Sequence, residues 1–444
     1  MQNQIKKKNF IIFIITSIVF TFLSVTYLFG EDFYDLCYSA YMLRNNKILF
    51  VRYKNPTLDP ILRTFELNIF NPKTGKILMV NRPDEKIYIL PSISGDRSTI
   101  SYHSIIVGND YLVTYNIEKG KSIRLGFDTG GYFTRVAIDY DNDTVAAAIK
   151  RGESRQAIYL ISNRKSFIKR IVNGTEFEKI GFLYNGDVFY LDNKKNRKEL
   201  GYYSVSTGKK FTIHPDASWV KKSKNGDVLV YQSGNELFLF RAYGGESIKI
   251  SKDFSLNNSS LVFSEDGSAV AICKPGNISI INFPSGDALY FLSIEESYSE
   301  PLLSNFKFYC RVGTKILSIF YKKPAQVLSE TYIKKEPYTV LGVSSNDRYI
   351  AILEGEKLII YDLRNKKEIP VKFDFTIENI KFTEDGSSIY IAARRHLAEK
   401  GTWTRELYLY NIESDFIFKI STAENTPLEL YLTNKEDLKP FVFE

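Results

Sequence analysis

Cysteine, histidine and tryptophan are scarce in this chain of 444 residues, which contains three, three and two of them. An odd number of cysteines leaves at least one thiol unpaired, so a disulfide framework does not hold the fold together. For Cys273 and Cys310 two alternatives stay open, a bridge between them or two buried free thiols. None of the cysteines, including Cys37, has the spacing of a metal ligand.

The sequence patterns of common catalytic sites are also missing. His103, His214 and His396 lie far apart, and none has a second histidine at the spacing of a metal centre or a catalytic triad. There is no Gly-x-Ser-x-Gly nucleophile motif and no glycine-rich phosphate-binding loop before a helix. The sequence therefore predicts no catalytic motif, no metal and no cofactor, although a site assembled in a channel from many repeats would leave no local motif.

The acidic segment at residues 139–143 resembles the start of a calcium-binding loop, in which oxygen ligands alternate along the chain. Such a loop requires glycine at its sixth position and glutamate at its twelfth, where this chain has Thr144 and Lys150. We therefore interpret the segment as an ordinary turn.

The formal net charge is +8, and Lys6, Lys7 and Lys8 contribute three of these charges. The remaining excess is too small for a polyanion-binding protein, so we expect no nucleic-acid partner. The other basic clusters are interleaved with acidic residues, and we interpret them as solvated turns. These clusters are Lys194, Lys195, Arg197 and Lys198, then Lys221, Lys222 and Lys224, and finally Arg394 and Arg395.

A repeat unit accounts for most of the sequence, and residues 343–371 (VSSNDRYIAILEGEKLIIYDLRNKKEIPV) give its clearest copy. Two apolar runs are separated by polar and charged turns, as expected of short antiparallel strands. Eight copies have a recognisable turn residue, and one interval between them is twice the usual length. A ninth copy, which lacks the turn residue, begins at residue 305 within that interval. The turn residues of the other eight, otherwise 39 to 50 residues apart, are Asn46, Asp96, Asp143, Gly186, Gly226, Gly267, Asp347 and Gly386.

A second marker, an aromatic residue followed by polar residues and glycine, recurs in most copies, for example YNIEKGK and YSVSTGK. A period of about 40 to 45 residues with four strands is typical of a β-propeller blade. The sequence therefore predicts an all-β fold, a single propeller of about 8 (7–9) four-stranded blades over residues 31–444. Nine copies exceed the usual four to eight blades, which is why we expect a shared copy to reduce the number to eight.

The phrases FSEDGSAVAI and FTEDGSSIYIA, together with LIIYDL and a TGK-type turn, resemble the WD-repeat-like propeller repeats of the TolB-type family. The resemblance covers roughly residues 41–420, and its motifs imply the fold but specify no activity. TolB-type proteins carry an α/β domain before the propeller, and this chain has no room for one between its N-terminal segment and Asn46. A TolB-like role is therefore not implied.

The N-terminus has the features of an export signal. Lys6, Lys7 and Lys8 precede an uncharged apolar run at residues 10–29, after which acidic residues follow. This length lies between that of a cleavable signal peptide and that of a membrane-spanning anchor. Because the lysines stay on the cytoplasmic side, both alternatives place the propeller outside the cytoplasm, in the periplasm or cell envelope. We assign residues 1–30 to this signal peptide or signal anchor.

Two copies have unusually long connections between their second and third strands, the first and the ninth. Ring closure places these two blades side by side, so we predict that their connections form one binding surface. Tryptophan and arginine are enriched where partners bind. The predicted binding residues are Tyr53, Lys54, Asp59 and Arg63 in the first copy and Arg394, Arg395, His396, Trp403 and Arg405 in the ninth.

The segment TPLELYLTN after residue 420 offers one further strand. Propellers often close by pairing a C-terminal strand within the first blade, which removes an exposed edge. We predict that residues 428–432 pair beside the strand near residues 48–52.

The sequence favours an exported, non-enzymatic propeller that acts as a protein-binding or scaffold module at the cell envelope, as a monomer. The alternative is an extracytoplasmic enzyme that acts on a peptide or sugar substrate in the channel. Converging Asp, Glu or His on the innermost strands would favour the enzyme. The innermost-strand candidates at residues 260–264 and 379–383 are mostly apolar or hydroxyl-bearing, which favours binding.

Overall fold

The structure is a computed structural model that describes most of the chain after residue 38. The described residues are 39–53, 64–127, 131–140, 143–152, 155–162, 167–223, 226–255, 259–264, 266–283, 286, 288–293, 298–304, 306–312, 315–321, 328–332, 338–373, 375–397, 402–420 and 442–443. The predicted export segment at residues 1–30 lies outside them. Within these ranges, no helix is both long and apolar enough to cross a membrane.

Nine antiparallel sheets form the nine blades of a propeller, so no shared copy reduces the number to eight. From the innermost strand outward, blades 1 to 3 contain β1 (Ser39–Met42), β2 (Ile48–Tyr53), β3 (Phe65–Asn71) and β4 (Lys76–Met79); β5 (Ser92–Ile93), β6 (Thr99–Ile106), β7 (Asn109–Asn116) and β8 (Lys121–Phe127); and β9 (Tyr132–Ile138), β10 (Thr144–Arg151), β11 (Arg155–Ser162) and β12 (Phe167–Gly174). A 3-10 turn at Arg44–Asn46 joins β1 to β2.

The remaining blades repeat this four-stranded meander. Blades 4 to 6 contain β13 (Phe177–Phe182), β14 (Val188–Lys194), β15 (Arg197–Ser204) and β16 (Lys209–His214); β17 (Trp219–Lys222), β18 (Val228–Ser233), β19 (Glu236–Arg241) and β20 (Ser247–Ser251); and β21 (Ser260–Phe263), β22 (Ala269–Lys274), β23 (Asn277–Asn282) and β24 (Ala288–Ser293). Blades 7 to 9 contain β25 (Tyr298–Leu303), β26 (Lys307–Val312), β27 (Lys315–Phe320) and β28 (Leu328–Tyr332); β29 (Thr339–Val343), β30 (Tyr349–Glu354), β31 (Lys357–Asp362) and β32 (Lys367–Val371); and β33 (Thr376–Phe382), β34 (Ser388–Leu397), β35 (Thr402–Asn411) and β36 (Phe416–Ile420).

Position within a blade explains the composition of each strand. The second strand of a blade is covered on both faces by neighbouring blades, and accordingly β22 and β30 are nearly continuous apolar runs with their first four residues buried. The outermost strand β4 pairs with only one other strand, and it alternates exposed and partly buried residues. This difference follows from the packing of sheet against sheet around a ring.

Apolar clusters between blades join them into a closed ring. Leu183 and Phe189 of blade 4 pack with Val220 of blade 5, and comparable clusters link the other neighbours. One cluster contains residues of blades 9, 1 and 2 together, with Tyr390 and Leu407 of blade 9 buried against the strands of blade 1. The first and last blades are therefore adjacent, as the sequence predicts.

A buried hydroxyl organises the turn between the first and second strands. In blade 9, Thr383 Oγ1 accepts a hydrogen bond from Ser388 N at 3.1 Å and donates one to the side chain of Asp385. The glycine after that aspartate, Gly386, has a φ of 68°, which only glycine adopts without strain. The equivalent hydroxyls of blades 2, 5, 6 and 8, each bonded to the backbone N–H five residues later, belong to Ser94, Ser223, Ser264 and Ser344.

Two details of these turns differ from the sequence-based expectation. In blade 2 the left-handed residue is Arg97, with a φ of 61°, while the side chain of Asp96 accepts hydrogen bonds from Ser98. Blade 7 has no Asp-Gly marker, yet it keeps the hydroxyl, because Ser304 Oγ accepts a hydrogen bond from Lys307 N at 2.9 Å. The hydroxyl thus recurs in blades 2 and 5 to 9, whereas Leu43, Asp139 and Leu183 occupy its position in blades 1, 3 and 4.

The described C-terminal strand, β37 (Val442–Phe443), pairs with β1 in parallel and adds a fifth strand to the first sheet. Ser39 lies opposite Val442, and Ala40 lies opposite Phe443. The predicted closing strand at residues 428–432 lies outside the described residues. A C-terminal strand thus joins the first blade, at β1 rather than at β2.

Replacing Thr383 with valine should lower the free energy of unfolding by about 1 to 3 kcal/mol, because the buried Ser388 N–H loses its hydroxyl acceptor and the Asp385 carboxylate loses one of its donors. Thr383→Ser keeps the hydroxyl and is the matched control. Both variants would be compared with the wild type by thermal unfolding. Equal losses in the two variants would mean that the methyl group, and not the hydroxyl, stabilises this turn.

Candidate functional site

Polar contacts join the turns of blades 9 and 1 at the closure seam. Tyr390 donates a hydrogen bond to Asn46 O at 2.7 Å, and Asn46 Nδ2 donates one to Asp385 Oδ2 at 3.0 Å. Asn46 Oδ1 in turn accepts a hydrogen bond from Glu384 N at 2.9 Å. Further out, Phe70 and Phe418 stack with their ring centroids 5.5 Å apart. Both hydrogen bonds and an aromatic contact therefore join blades 9 and 1.

On the opposite face of this seam, blade 9 extends beyond its neighbours. β34 and β35 have ten residues each, whereas the second and third strands of the other blades have six to eight. The pairing continues to the end of the hairpin, where Leu397 lies opposite Thr402. The sequence suggested a long loop here, but Thr402, Trp403 and Thr404 favour extended structure and continue the ladder.

The structure brings several predicted binding residues together on this hairpin. His396 lies opposite Trp403, Arg395 opposite Thr404, and Arg394 opposite Arg405. The Arg394 guanidinium lies 3.7 Å from Glu378 Oε1 on β33, with only 16% of its side chain exposed, so it joins the base of the hairpin to the innermost strand.

In blade 1, Tyr53 is the last residue of β2 and pairs with Phe65. Lys54, Asp59 and Arg63 lie in the connection between β2 and β3, outside the described residues. Because Tyr53 ends its strand on the face from which the blade 9 hairpin projects, the two connections begin on neighbouring blades of one face. Their joint role in binding stays a prediction.

His103, Cys273 and Cys310 are buried in the packed interior of the blades. His103 is buried, stacks on Phe133 with centroids 4.3 Å apart and lies 2.7 Å from Asp110 Oδ1, and burial lowers its pKa. Cys273 and Cys310 are free thiols in one apolar cluster, and burial raises the pKa of each to about 12. Among the described residues, no group of three or more His, Cys, Asp or Glu is arranged to hold a metal ion.

The acidic segment at residues 139–143, which resembles the start of a calcium-binding loop, forms a turn in its described part. Asp139 Oδ1 accepts hydrogen bonds from the backbone N–H groups of Asp143 and Thr144, at 3.0 and 3.1 Å. This carboxylate thus fastens the start of β10, as expected of an ordinary turn.

Among the described residues, the innermost strands line two cavities of the central channel. β21 and β33 are innermost, as predicted, and together with β29 they line a cavity of about 260 Å³. On the other side, innermost strands of blades 2 to 5 line a cavity of about 610 Å³. The sequence predicts innermost strands that are mostly apolar or hydroxyl-bearing. The wall of this larger cavity differs, because it contains Lys179, Lys221 and Lys222.

The interpretation of Lys221 and Lys222 as solvated turn residues is wrong about the turn, although Lys221 is exposed. Both belong to β17, an innermost strand of only four residues that ends directly before the turn at Ser223. Its shortness explains the error, since two lysines beside a turn look like part of it. Lys224 lies outside the described residues, and Arg394 and Arg395 lie on β34 rather than in a turn.

The pKa of Lys222 is strongly perturbed by its surroundings. Burial in the channel, and then the neighbouring ammonium group of Lys179, lower the pKa of Lys222 from 10.5 to about 8. Lys179 Nζ donates a hydrogen bond to Val220 O at 3.0 Å, and Lys221 Nζ lies 4.8 Å from the centre of the Phe263 ring. The cavity is therefore a site where positive charge is concentrated.

Replacing Lys222 with methionine should stabilise the protein at pH 7.5, and the difference should shrink as the pH rises towards 10. The unfolded chain binds more protons at this residue between pH 8 and 10.5, so the wild type gains stability with pH across that window. Urea unfolding at several pH values would measure the difference, with Lys357→Met, at the exposed first position of β31, as the control. A pH-independent difference between wild type and the Lys222 variant would contradict this assignment.

Comparison with known proteins finds similarity only among solved structures. No protein-family model matches the chain, and no curated protein sequence matches it. TolB from Acinetobacter baumannii is 15% identical with a TM-score of 0.36, over 56% of this chain and 64% of that one. The tricorn protease is 12% identical with a TM-score of 0.30, over 86% of this chain and 44% of that one.

The dihydro-heme d1 dehydrogenase NirN is 11% identical with a TM-score of 0.44, over 80% of this chain and 70% of that one. The aligned part thus spans less than two thirds of the TolB and tricorn chains. At these scores the similarities carry no argument about activity or partners. The nine sheets themselves confirm the propeller fold that the resemblance of the repeats to the TolB-type family implies.

Proposed function

We propose that this chain is an exported, non-enzymatic β-propeller that binds a protein partner at the cell envelope, as a monomer, through the blade 9 hairpin. The observation that carries the proposal is the extension of β34 and β35 beyond the rest of the blade. A paired hairpin on a closed ring is already ordered, so binding through it has a smaller entropic cost than binding through a loop.

The edges of the hairpin favour a particular mode of binding. β33 pairs with β34 only as far as Arg394, and β36 pairs with β35 only from Leu407 onward. Within the described residues, no further strand pairs with residues 395–397 or 402–406 on their outer sides. Unpaired strand edges present backbone N–H and C=O groups, to which an extended segment of a partner adds as a further strand.

The residue types of the hairpin suit such a partner. Arg395, His396, Trp403 and Arg405 lie close together along the two strands, and aromatic residues and arginine dominate the energetics of protein interfaces. Backbone pairing would supply affinity, and residues of these types would favour one partner over others. Tyr53, Lys54, Asp59 and Arg63 of the neighbouring blade would complete the surface.

Trp403→Ala combined with Arg395→Ala should abolish the capture of a partner in a crosslinking pull-down from envelope fractions. The matched control is Tyr132→Ala combined with Arg155→Ala, an exposed aromatic residue and an exposed arginine on the same face of blade 3. A partner that is lost only with the first variant supports the proposal. Equal capture by both variants would contradict it and favour the alternative, an enzyme that acts on a peptide or sugar in the channel.

Export rests on the N-terminal sequence, Lys6 to Lys8 followed by the apolar run at residues 10–29. An alkaline phosphatase reporter fused after Glu444 should be active, because it folds only where its disulfides form, outside the cytoplasm. Removing residues 1–30 should abolish that activity. Carbonate extraction of membranes then distinguishes a retained anchor from a cleaved signal peptide, and an inactive full-length fusion would overturn the proposed export.

A further inference from the structure

The residues that line the larger channel cavity have no role in the proposed binding of a protein at the hairpin. Its wall contains three lysines and Ser92, and among its described lining residues there is no carboxylate. Its volume of about 610 Å³ lies within the range of small-molecule sites. The rest of the wall is predominantly apolar, with Ile93, Val136, Ile138, Ile180, Phe182 and Phe189.

The three lysines come from two neighbouring blades and are fixed by the fold. Lys179 lies on β13, and its hydrogen bond to Val220 O connects it to the backbone of β17, where Lys221 and Lys222 follow directly. Ser92 Oγ accepts a hydrogen bond from Ile138 N, so its own proton remains for another acceptor. Donors from blades 2, 4 and 5 thus line one cavity.

Lys222 has no compensating charge of its own. Within the described part of the chain no carboxylate forms an ion pair with it, and the charged group that acts on it is the like-charged Lys179. Enclosing an ammonium group beside another without a counterion is unfavourable, and it becomes favourable when an anion enters. The charge of Lys222 therefore destabilises the protein when the channel is empty, and a bound anion would reduce this destabilisation.

We propose that this cavity binds a small phosphate monoester with an apolar or aromatic body, held by Lys179, Lys221 and Lys222. A phosphate monoester carries a charge of about −1.5 to −2 near neutral pH and three acceptor oxygens, which suits several ammonium donors. A carboxylate has only two acceptor oxygens and a single charge, so it suits these donors less well. The apolar part of the ligand would contact the aliphatic and aromatic wall.

The proposal is independent of the proposed protein-binding function, since the cavity lies in the channel and the hairpin lies at the rim of blade 9. Failure of one leaves the other unaffected. The two are measured separately, because a pull-down reports on the hairpin and titration with a small molecule reports on the channel.

Phenyl phosphate is the probe, titrated calorimetrically into the full-length protein in a mild non-ionic detergent, which keeps the apolar N-terminal run in solution. We expect Lys179→Met and Lys222→Met each to weaken binding by at least about tenfold, in line with the loss of a charge-assisted hydrogen bond. Lys222→Arg should retain binding, because it keeps the charge. The control Lys381→Met, in the smaller cavity of the same channel, should change the affinity by less than about twofold.

The number of protons taken up on binding is a second measurement, and it would not change if Lys222 had only a structural role. At pH 8 Lys222 is about half protonated in the free protein, so binding of the phosphate should take up roughly half a proton, visible as a dependence of the binding heat on the buffer. That uptake should disappear in Lys222→Met. Thermal unfolding of each variant confirms that it is folded before its affinity is interpreted.

Three results would overturn the proposal: no binding of phenyl phosphate to the wild type at millimolar concentration, undiminished binding to a folded Lys179→Met/Lys222→Met double variant, or benzoate binding as tightly as phenyl phosphate. The last would replace the phosphate by a carboxylate as the ligand class. Weaker binding of benzoate, by at least about tenfold, is the expected outcome.

Discussion

Every blade of this protein is apolar on both faces of its central strands, and no blade is stable until a neighbour covers each face. Open stacks of such sheets would leave two uncovered ends, so closure of the ring is the constraint on which the rest depends. The chain satisfies it where blade 9 meets blade 1, with Tyr390 and Leu407 buried in a shared cluster and Asn46 bonded to the turn of blade 9. The parallel pairing of β37 with β1 adds the C-terminal residues to the same blade.

Most of the fold could be predicted from the sequence, because each blade has a local sequence pattern that indicates its strands and turns. A turn residue that tolerates a positive φ, such as Gly267 or Gly386, recurs at a nearly constant interval, and the apolar runs between such turns have the length of strands. The buried hydroxyls of Ser264 and Thr383 stand in the same motifs. Their role was not apparent, because serine and threonine before a turn are common and only burial distinguishes them.

The candidate sites were less accessible, for two physical reasons. Whether residues 394–405 form a loop or a continued ladder depends on whether two strands stay paired, and the charges in this segment obscure the strand preference of Thr402 to Thr404. The channel lysines depend on long-range assembly, since Lys179 and Lys222 are 43 positions apart and meet only because adjacent blades present their innermost strands to one space. No local pattern records that proximity.

The direction of β1 has a consequence for how the molecule sits at a membrane. Ser39 begins the strand at the level of Val51, near the end where β2 finishes at Tyr53, so the chain enters the ring on the face that carries the hairpin. Eight residues separate residue 30 from Ser39, and a fully extended chain of that length reaches about 28 Å. An uncleaved N-terminal anchor would therefore keep the hairpin face within a short distance of the lipid surface. A partner recognised there would bind close to the bilayer, where membrane proteins are within reach, and a cleaved signal peptide would remove that proximity.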